Sequence, residues 1–237
     1  MAWSPVDHDR SIYSGKTLIL KRMKVSKYLL AGLIFWSLVH CAMSQTSKPA
    51  TAAQKKEILS NMESQAAKTS TLTCRFVQKK NISILSETVT SEGMMYFKKE
   101  NKLRWEYNKP YSYLFILNEG TVSIKNNKRV DQFDTKSNKM FQEISEIMIG
   151  GVRGTLLTDN KKFITQFLDG EKIAIVKLIP KNKEMKQMMS AITLTISKSD
   201  WLVKSIEMEE QGGDNTIITF VQKDVNKNLS DNLFRIN

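Results

Sequence analysis

Thr71–Val77 reads TLTCRFV, with Leu72, Cys74 and Phe76 alternating with Thr71, Thr73, Arg75 and Val77, the period of two that marks a strand. The chain changes period at this point. Upstream, Thr51 with Gln54 three residues later has capping-box spacing, and Ile58, Leu59, Met62 and Ala66 recur at helical intervals. This predicts a helix over about 52–68 whose apolar stripe must dock on something. Downstream, most segments alternate, or are apolar on both faces, between turn signals.

The predicted strands cover about 71–79, 83–90, 94–99, 102–107, 111–118, 121–125, 129–134, 155–158, 163–168, 172–179, 191–197, 202–210 and 216–222. Asn108-Lys109-Pro110, Asn118-Glu119-Gly120, Asn126-Asn127, Asp169-Gly170, Ser199-Asp200 and Gly212-Gly213 mark turns between them. Turns this short join antiparallel neighbours, because parallel pairs need crossovers of about a dozen residues or more. Two interruptions are helical. Ile144, Ile147 and Met148 fall at i, i+3 and i+4 before Gly150-Gly151, which predicts a short helix ended by glycine and followed by a mobile loop. Met185, Met188 and Met189 repeat the spacing. The expected fold is mainly β (α+β): a curled antiparallel sheet forming an incomplete β-barrel, with a helical lid over its concave face.

The N-terminus predicts export. Lys21, Arg22, Lys24 and Lys27 lead into the apolar run Tyr28–Val39, and Ala42-Met43-Ser44 places small residues at a signal-peptidase site. Twelve residues are too few for a bilayer-spanning helix, which needs about 20. Residues 1–22 look like neither a domain nor a normal n-region, so translation is expected to start at Met23, with a signal peptide over 23–44 and one domain over 45–237. A lipoprotein reading through Cys41 is the alternative, although a lipobox wants a small residue where His40 stands. Cleavage near Ser44 leaves 30 basic and 22 acidic residues, a net charge of +8. An exported basic protein suits anionic headgroups or acidic proteins better than nucleic acid.

Export also removes chemistry. Both histidines, His8 and His40, and Cys41 precede the cut, so the mature chain keeps no histidine and one thiol, Cys74. No G-x-S-x-G elbow occurs, and a zinc site would rest mainly on carboxylates. Gly150–Gly154 (GGVRG) lacks the G-K-[ST] ending of a phosphate loop, and Glu209-Glu210 on a strand face opposite ways. A non-enzymatic protein without cofactor or metal is expected. Methionine is the suggestive residue, being flexible and suited to adaptable apolar surfaces. Nine remain in the mature chain, four of them in the two short helices.

Gly93–Pro110, GMMYFKKENKLRWEYNKP, resembles the outer-membrane lipoprotein carrier proteins of the LolA type. Phe76-Val77-Gln78 fits the family's F-x-Q, and Leu103–Tyr107 with Pro110 fits its aromatic strand. Asn118-Glu119-Gly120 resembles its D-G turn, and Asn226, Leu229, Asp231 and Phe234 fit its N-x-x-L-x-D-x-x-F ending. The resemblance spans roughly Thr51–Ile236. It implies a periplasmic, monomeric shuttle with an apolar cavity that takes triacylated lipoproteins from an inner-membrane ABC release complex to an outer-membrane acceptor. One departure stands out: Lys99 occupies the position where some members carry a functional arginine, and lysine lacks arginine's planar fork.

Burying acyl chains yields about 0.8 kcal/mol per methylene, so a carrier needs apolar area more than polar contacts. The candidate lining residues are Phe76, Phe97, Leu103, Trp105, Met148, Met185, Met188 and Met189, with Lys99 as a rim contact for a headgroup or peptide linker. A lipid-binding sensor or regulator, or a carrier of another lipid, would use the same fold.

Overall fold

A computed structural model of the chain describes residues 47–236. The extension 1–22, the start at Met23, the signal peptide 23–44 and Cys41 lie outside the described residues. All strands join one sheet, ordered β1-β8-β9-β10-β11-β12-β2-β3-β4-β5-β6-β7, with every pairing antiparallel. The strands are β1 Lys48–Pro49, β2 Thr71–Ile82, β3 Glu87–Lys98, β4 Lys102–Lys109, β5 Tyr113–Asn118 and β6 Thr121–Asn126, then β7 Arg129–Asp134, β8 Phe163–Asp169, β9 Ile173–Pro180, β10 Met189–Ser197, β11 Val203–Glu210 and β12 Asn215–Val225. Because β1 and β7 remain edges, the barrel is incomplete. The helices are α1 Ala52–Lys68, α2 Lys139–Arg153 and α3 Lys183–Met188.

Helix α1 begins where the sequence places it, and its capping box closes in both directions between Thr51 and Gln54. Its stripe buries Ile58 and Met62 against β8, β9 and β10 through Phe167, Val176 and Leu194. Several elements differ from expectation, among them β1, since no strand was predicted over Lys48–Pro49. Residues 83–90 and 94–99 are not separate strands. Ser83–Leu85 is a 3-10 turn, and β3 runs unbroken from Glu87 to Lys98 beside β2. Thr155–Thr158 is a 3-10 turn rather than a strand, burying the adjacent Leu156 and Leu157 together, which one strand face cannot do. Helix α2 continues through Gly150 and Gly151 and stops at Gly154, which takes the left-handed φ of 72°. Met189 opens β10 instead of ending the helix before it.

Opposed residues share a face, so the register builds the concave layer directly. Cys74, Met95, Trp105, Phe115 and Ile124 are cross-strand partners in one continuous row from β2 to β6. Gly93, opposite Phe76, makes this possible: a Cβ there would lie 2.0 Å from the Glu106 carbonyl oxygen and 2.5 Å from the Phe76 ring. That ring instead stacks within 4.5 Å of Trp105 and 5.1 Å of Tyr107. Strand β5 is apolar on both faces because its outer residues, Leu114 and Ile116, are covered by Phe234 of the C-terminal segment.

Each position of the C-terminal motif has a mechanical role. Asn226, at φ 60°, accepts from Ser70 N at 2.7 Å and donates to the Lys68 carbonyl at 2.9 Å, tying the end of α1 to the end of β12. Leu229 packs beside Phe234, and Asp231 accepts from Lys98 at 2.8 Å and from the nearly buried Lys102 at 3.2 Å. The Lys98 and Lys102 hydrogen bonds hold the Asp231 carboxyl below its ordinary range. Its folded pKa is depressed, so its contribution to stability is complete above the unfolded value of about 4 and is lost as pH falls through the folded one.

Two measurements follow from this packing. Gly93→Ala should lower unfolding free energy by about 2 kcal/mol or more by denaturant titration, because the backbone of Glu106 must move. Asp231→Asn should flatten the acid limb of stability, so that wild type and variant converge as pH falls below about 4.

Candidate functional site

Between the concave face and the helices lies a cavity of about 350 Å³ with an almost wholly apolar lining. The floor is supplied by inward positions of the central strands, among them Leu72, Met95, Trp105, Phe115, Met208 and Phe220. The roof comes from α1, through Met62 and Ala66, and from α2, through Ile144, Met148 and Val152. Those α2 residues recur at helical spacing, and Gly151 among them faces open space. A second recess of about 490 Å³ on a neighbouring face of α2 is lined by Ser145, Glu146, Arg153 and Lys162. Its charged wall does not suit an acyl chain, so the apolar cavity is the candidate site.

Polar groups in the cavity wall are few, and one of them, Trp105 Nε1, is buried without a hydrogen-bond partner among the described residues. Tyr107 Oη donates to Gln78 Oε1 at 2.8 Å, and burial pushes the Tyr107 hydroxyl pKa up. Lys223 is held by Asp200 at 2.7 Å. Burial works to raise the Asp200 carboxyl, but hydrogen bonds from Lys223 and the Leu202 N–H outweigh it and leave the carboxyl below its ordinary range. Cys74 lies in the wall on β2, and burial drives its thiol to about 12, opposed weakly by Lys223. A thiol so protonated is a small hydrophobe rather than a nucleophile. Among the described residues, no group of three His, Cys, Asp or Glu sits where it would hold a metal ion.

The structure brings four of the nine sequence candidates to the cavity: Leu103, Trp105, Met148 and Met189. Phe76 and Phe97 are buried in the layer that supports it, and Met185 is buried in the packing against β9 and β10. Met188 is half exposed at the end of α3 and outside the lining. Lys99 is also outside it: its Nζ donates to the Ala67 carbonyl at 2.7 Å, capping the end of α1. The candidates missed, such as Cys74, Met95, Phe115 and Met208, share the strand parity of those found. Alternation already marked them, and only the register between strands was lacking.

If the roof must open to admit reagents, Cys74 reports on it. Alkylation of the Cys74 peptide, followed by mass spectrometry near pH 7.5, should be far slower than that of a free thiol, and faster after denaturation.

No curated protein matches the chain in sequence. The solved structures that align with the chain include the following three. A LolA superfamily protein from Nitrosomonas europaea aligns at TM-score 0.43 and 9% identity, over 76% of this chain and 97% of its own. A domain named as a putative outer membrane lipoprotein-sorting protein from Vibrio parahaemolyticus aligns at 0.43 and 11%, over 76% and 96%. The MucA/MucB complex of Pseudomonas aeruginosa aligns at 0.43 and 10%, over 76% of this chain and 60% of that one. The family model described as outer membrane lipoprotein carrier protein LolA matches residues 67–237, well over half of the sequence. The chain therefore belongs to the LolA outer membrane lipoprotein carrier protein family.

Proposed function

We propose that this protein is an exported, periplasmic carrier of acyl chains. It binds the lipid part of triacylated lipoproteins released by an inner-membrane ABC complex and hands them to an outer-membrane acceptor, working as a monomer and without a catalytic step. The observation that carries this reading is the cavity: apolar, roofed by two helices, and lined by methionines and aromatic rings from six strands. Its volume of about 350 Å³ is at the small end of ligand pockets, which span about 300–1,000 Å³. Three chains need more room, so loading lifts α2 from the sheet. Burial at about 0.8 kcal/mol per methylene supplies the driving force for loading, and release requires a better apolar acceptor.

In this reading Leu103, Trp105, Met148 and Met189 contact the acyl chains, while Phe76, Phe97 and Met185 keep the walls in place. Native mass spectrometry of the protein from its own periplasm should show a bound triacylated lipoprotein. Met148→Asp should weaken uptake of a triacylated peptide by about tenfold or more, since it places a charge against the chains. Met188→Asp, on an exposed side chain, should leave uptake unchanged. A different bound lipid would change the cargo and keep the cavity. An empty protein that takes up no acylated peptide would overturn the reading.

A further inference from the structure

Antiparallel strands send their connections alternately to two ends of the sheet, and here the ends differ in character. One end gathers the β2–β3, β4–β5, β6–β7 and β11–β12 connections together with α3. Every exposed large apolar side chain among the described residues lies on or within three residues of that end. Ile84 and Leu85, 88% and 60% exposed, form the β2–β3 tip. Tyr111, 76% exposed, lies in the β4–β5 turn, and Met188 ends α3. Val89, Val130 and Ile164 sit near the corresponding ends of β3, β7 and β8.

The tip is built rather than loose. Beyond the pair Glu92–Lys109, strand β3 has no β4 partner, so its first residues project past that neighbour. The turn is pinned by Asp214, whose carboxylate accepts from Ser83 N and Ser83 Oγ, both at 2.9 Å. Ser86 completes it at a left-handed φ of 52°. An ordered hairpin therefore holds an isoleucine and a leucine in water, an arrangement that marks an interaction surface.

Charge indicates the partner. Lys79, Lys109, Lys128, Lys183 and Lys186 are exposed on or beside these connections and, among the described residues, have no carboxylate partner. Several acids there are already paired with cations, Glu210 with Lys80, Glu209 with Lys177 and Asp131 with Arg129, which leaves Glu87, Glu184 and the Ser83-bound Asp214 against these lysines. Apolar tips within a cationic surround match a bilayer with anionic headgroups, where each lysine adds attraction and apolar side chains enter the acyl boundary. The rim also leads inward: Met188 is followed by Met189, and Tyr111 lies two residues before Tyr113, and both inner residues line the cavity.

We propose that this end of the sheet is a lipid-docking rim, with the Ile84–Leu85 tip inserted into an anionic bilayer surface and the lysines on its headgroups. The docking does not depend on the acyl-carrier reading; only its use, presenting the cavity to the membrane, rests on it. The test is flotation of the protein, as purified from its own cells, with vesicles of phosphatidylethanolamine and phosphatidylglycerol, against vesicles of phosphatidylcholine alone. An Ile84→Ser/Leu85→Ser variant of the same length cancels any contribution of the N-terminal segment. Wild type should float with the anionic vesicles and release on added salt, and the double variant should partition about tenfold less or lower. The double variant should still take up acylated peptide, and Met148→Asp should still float, so the two readings fail separately. Wild type that does not float, or a double variant that floats equally, overturns the rim. So does a double variant that loses only a protein partner's binding, which would make this end a protein interface.

Discussion

The concave face of the sheet is apolar on strand after strand, and the sheet cannot cover it. Closing the barrel would remove the edges and fill the interior with its own side chains. Here β1 and β7 stay apart, and the row from Cys74 to Ile124 would face water without α1 and α2. Every other feature answers that constraint. The capping box fixes the start of α1, Asn226 and Lys99 fix its end, and Gly154 stops α2 where the chain must turn back to β8.

A cavity persists because floor and roof are of different kinds. The floor is rigid, with Phe76, Trp105 and Tyr107 locked together over Gly93 and backed on the outer side by Phe234 against Leu114 and Ile116. The roof carries Met62, Ile144 and Met148 on helices held chiefly by apolar contact. Side chains of that kind exchange one apolar neighbour for another at small cost, which suits an acyl chain of indefinite conformation. The polar interactions are concentrated outside the cavity, at strand ends and on the convex side, where Asp231 joins Lys98 and Lys102 and Arg104 holds the Leu233 carbonyl at 3.1 Å.

The sequence was most legible where local chemistry decides. Thr51 and Gln54 located α1 to the residue, and alternation located most strands within a residue or two. It failed where tertiary context overrides local signals. Gly150 and Gly151 read as a stop, yet both sit inside a helix whose left-handed residue is Gly154. The β2–β3 turn, formed by Ser83–Ser86, has no glycine, proline or asparagine, so the expected break fell early, at 80–82, and a second break was placed inside β3. For the site, composition pointed rightly to methionine, but only register reveals that Met95 and Met208 face the cavity while Met188 faces solvent. The resemblance supplied the C-terminal motif, and the structure supplies the reason for each of its residues.

The carrier account stands or falls on whether acyl chains occupy the space between sheet and helices. The most direct measurement is carbon-13 methyl NMR of methionine-labelled protein titrated with a triacylated peptide. Met62, Met95, Met148, Met189 and Met208 line the cavity, while Met185 is packed elsewhere and Met188 is exposed. The account expects the five lining methyls to shift and to show contacts with acyl methylenes, with Met185 and Met188 unmoved. Shifts confined to Met188, or no shift among the five, would contradict it.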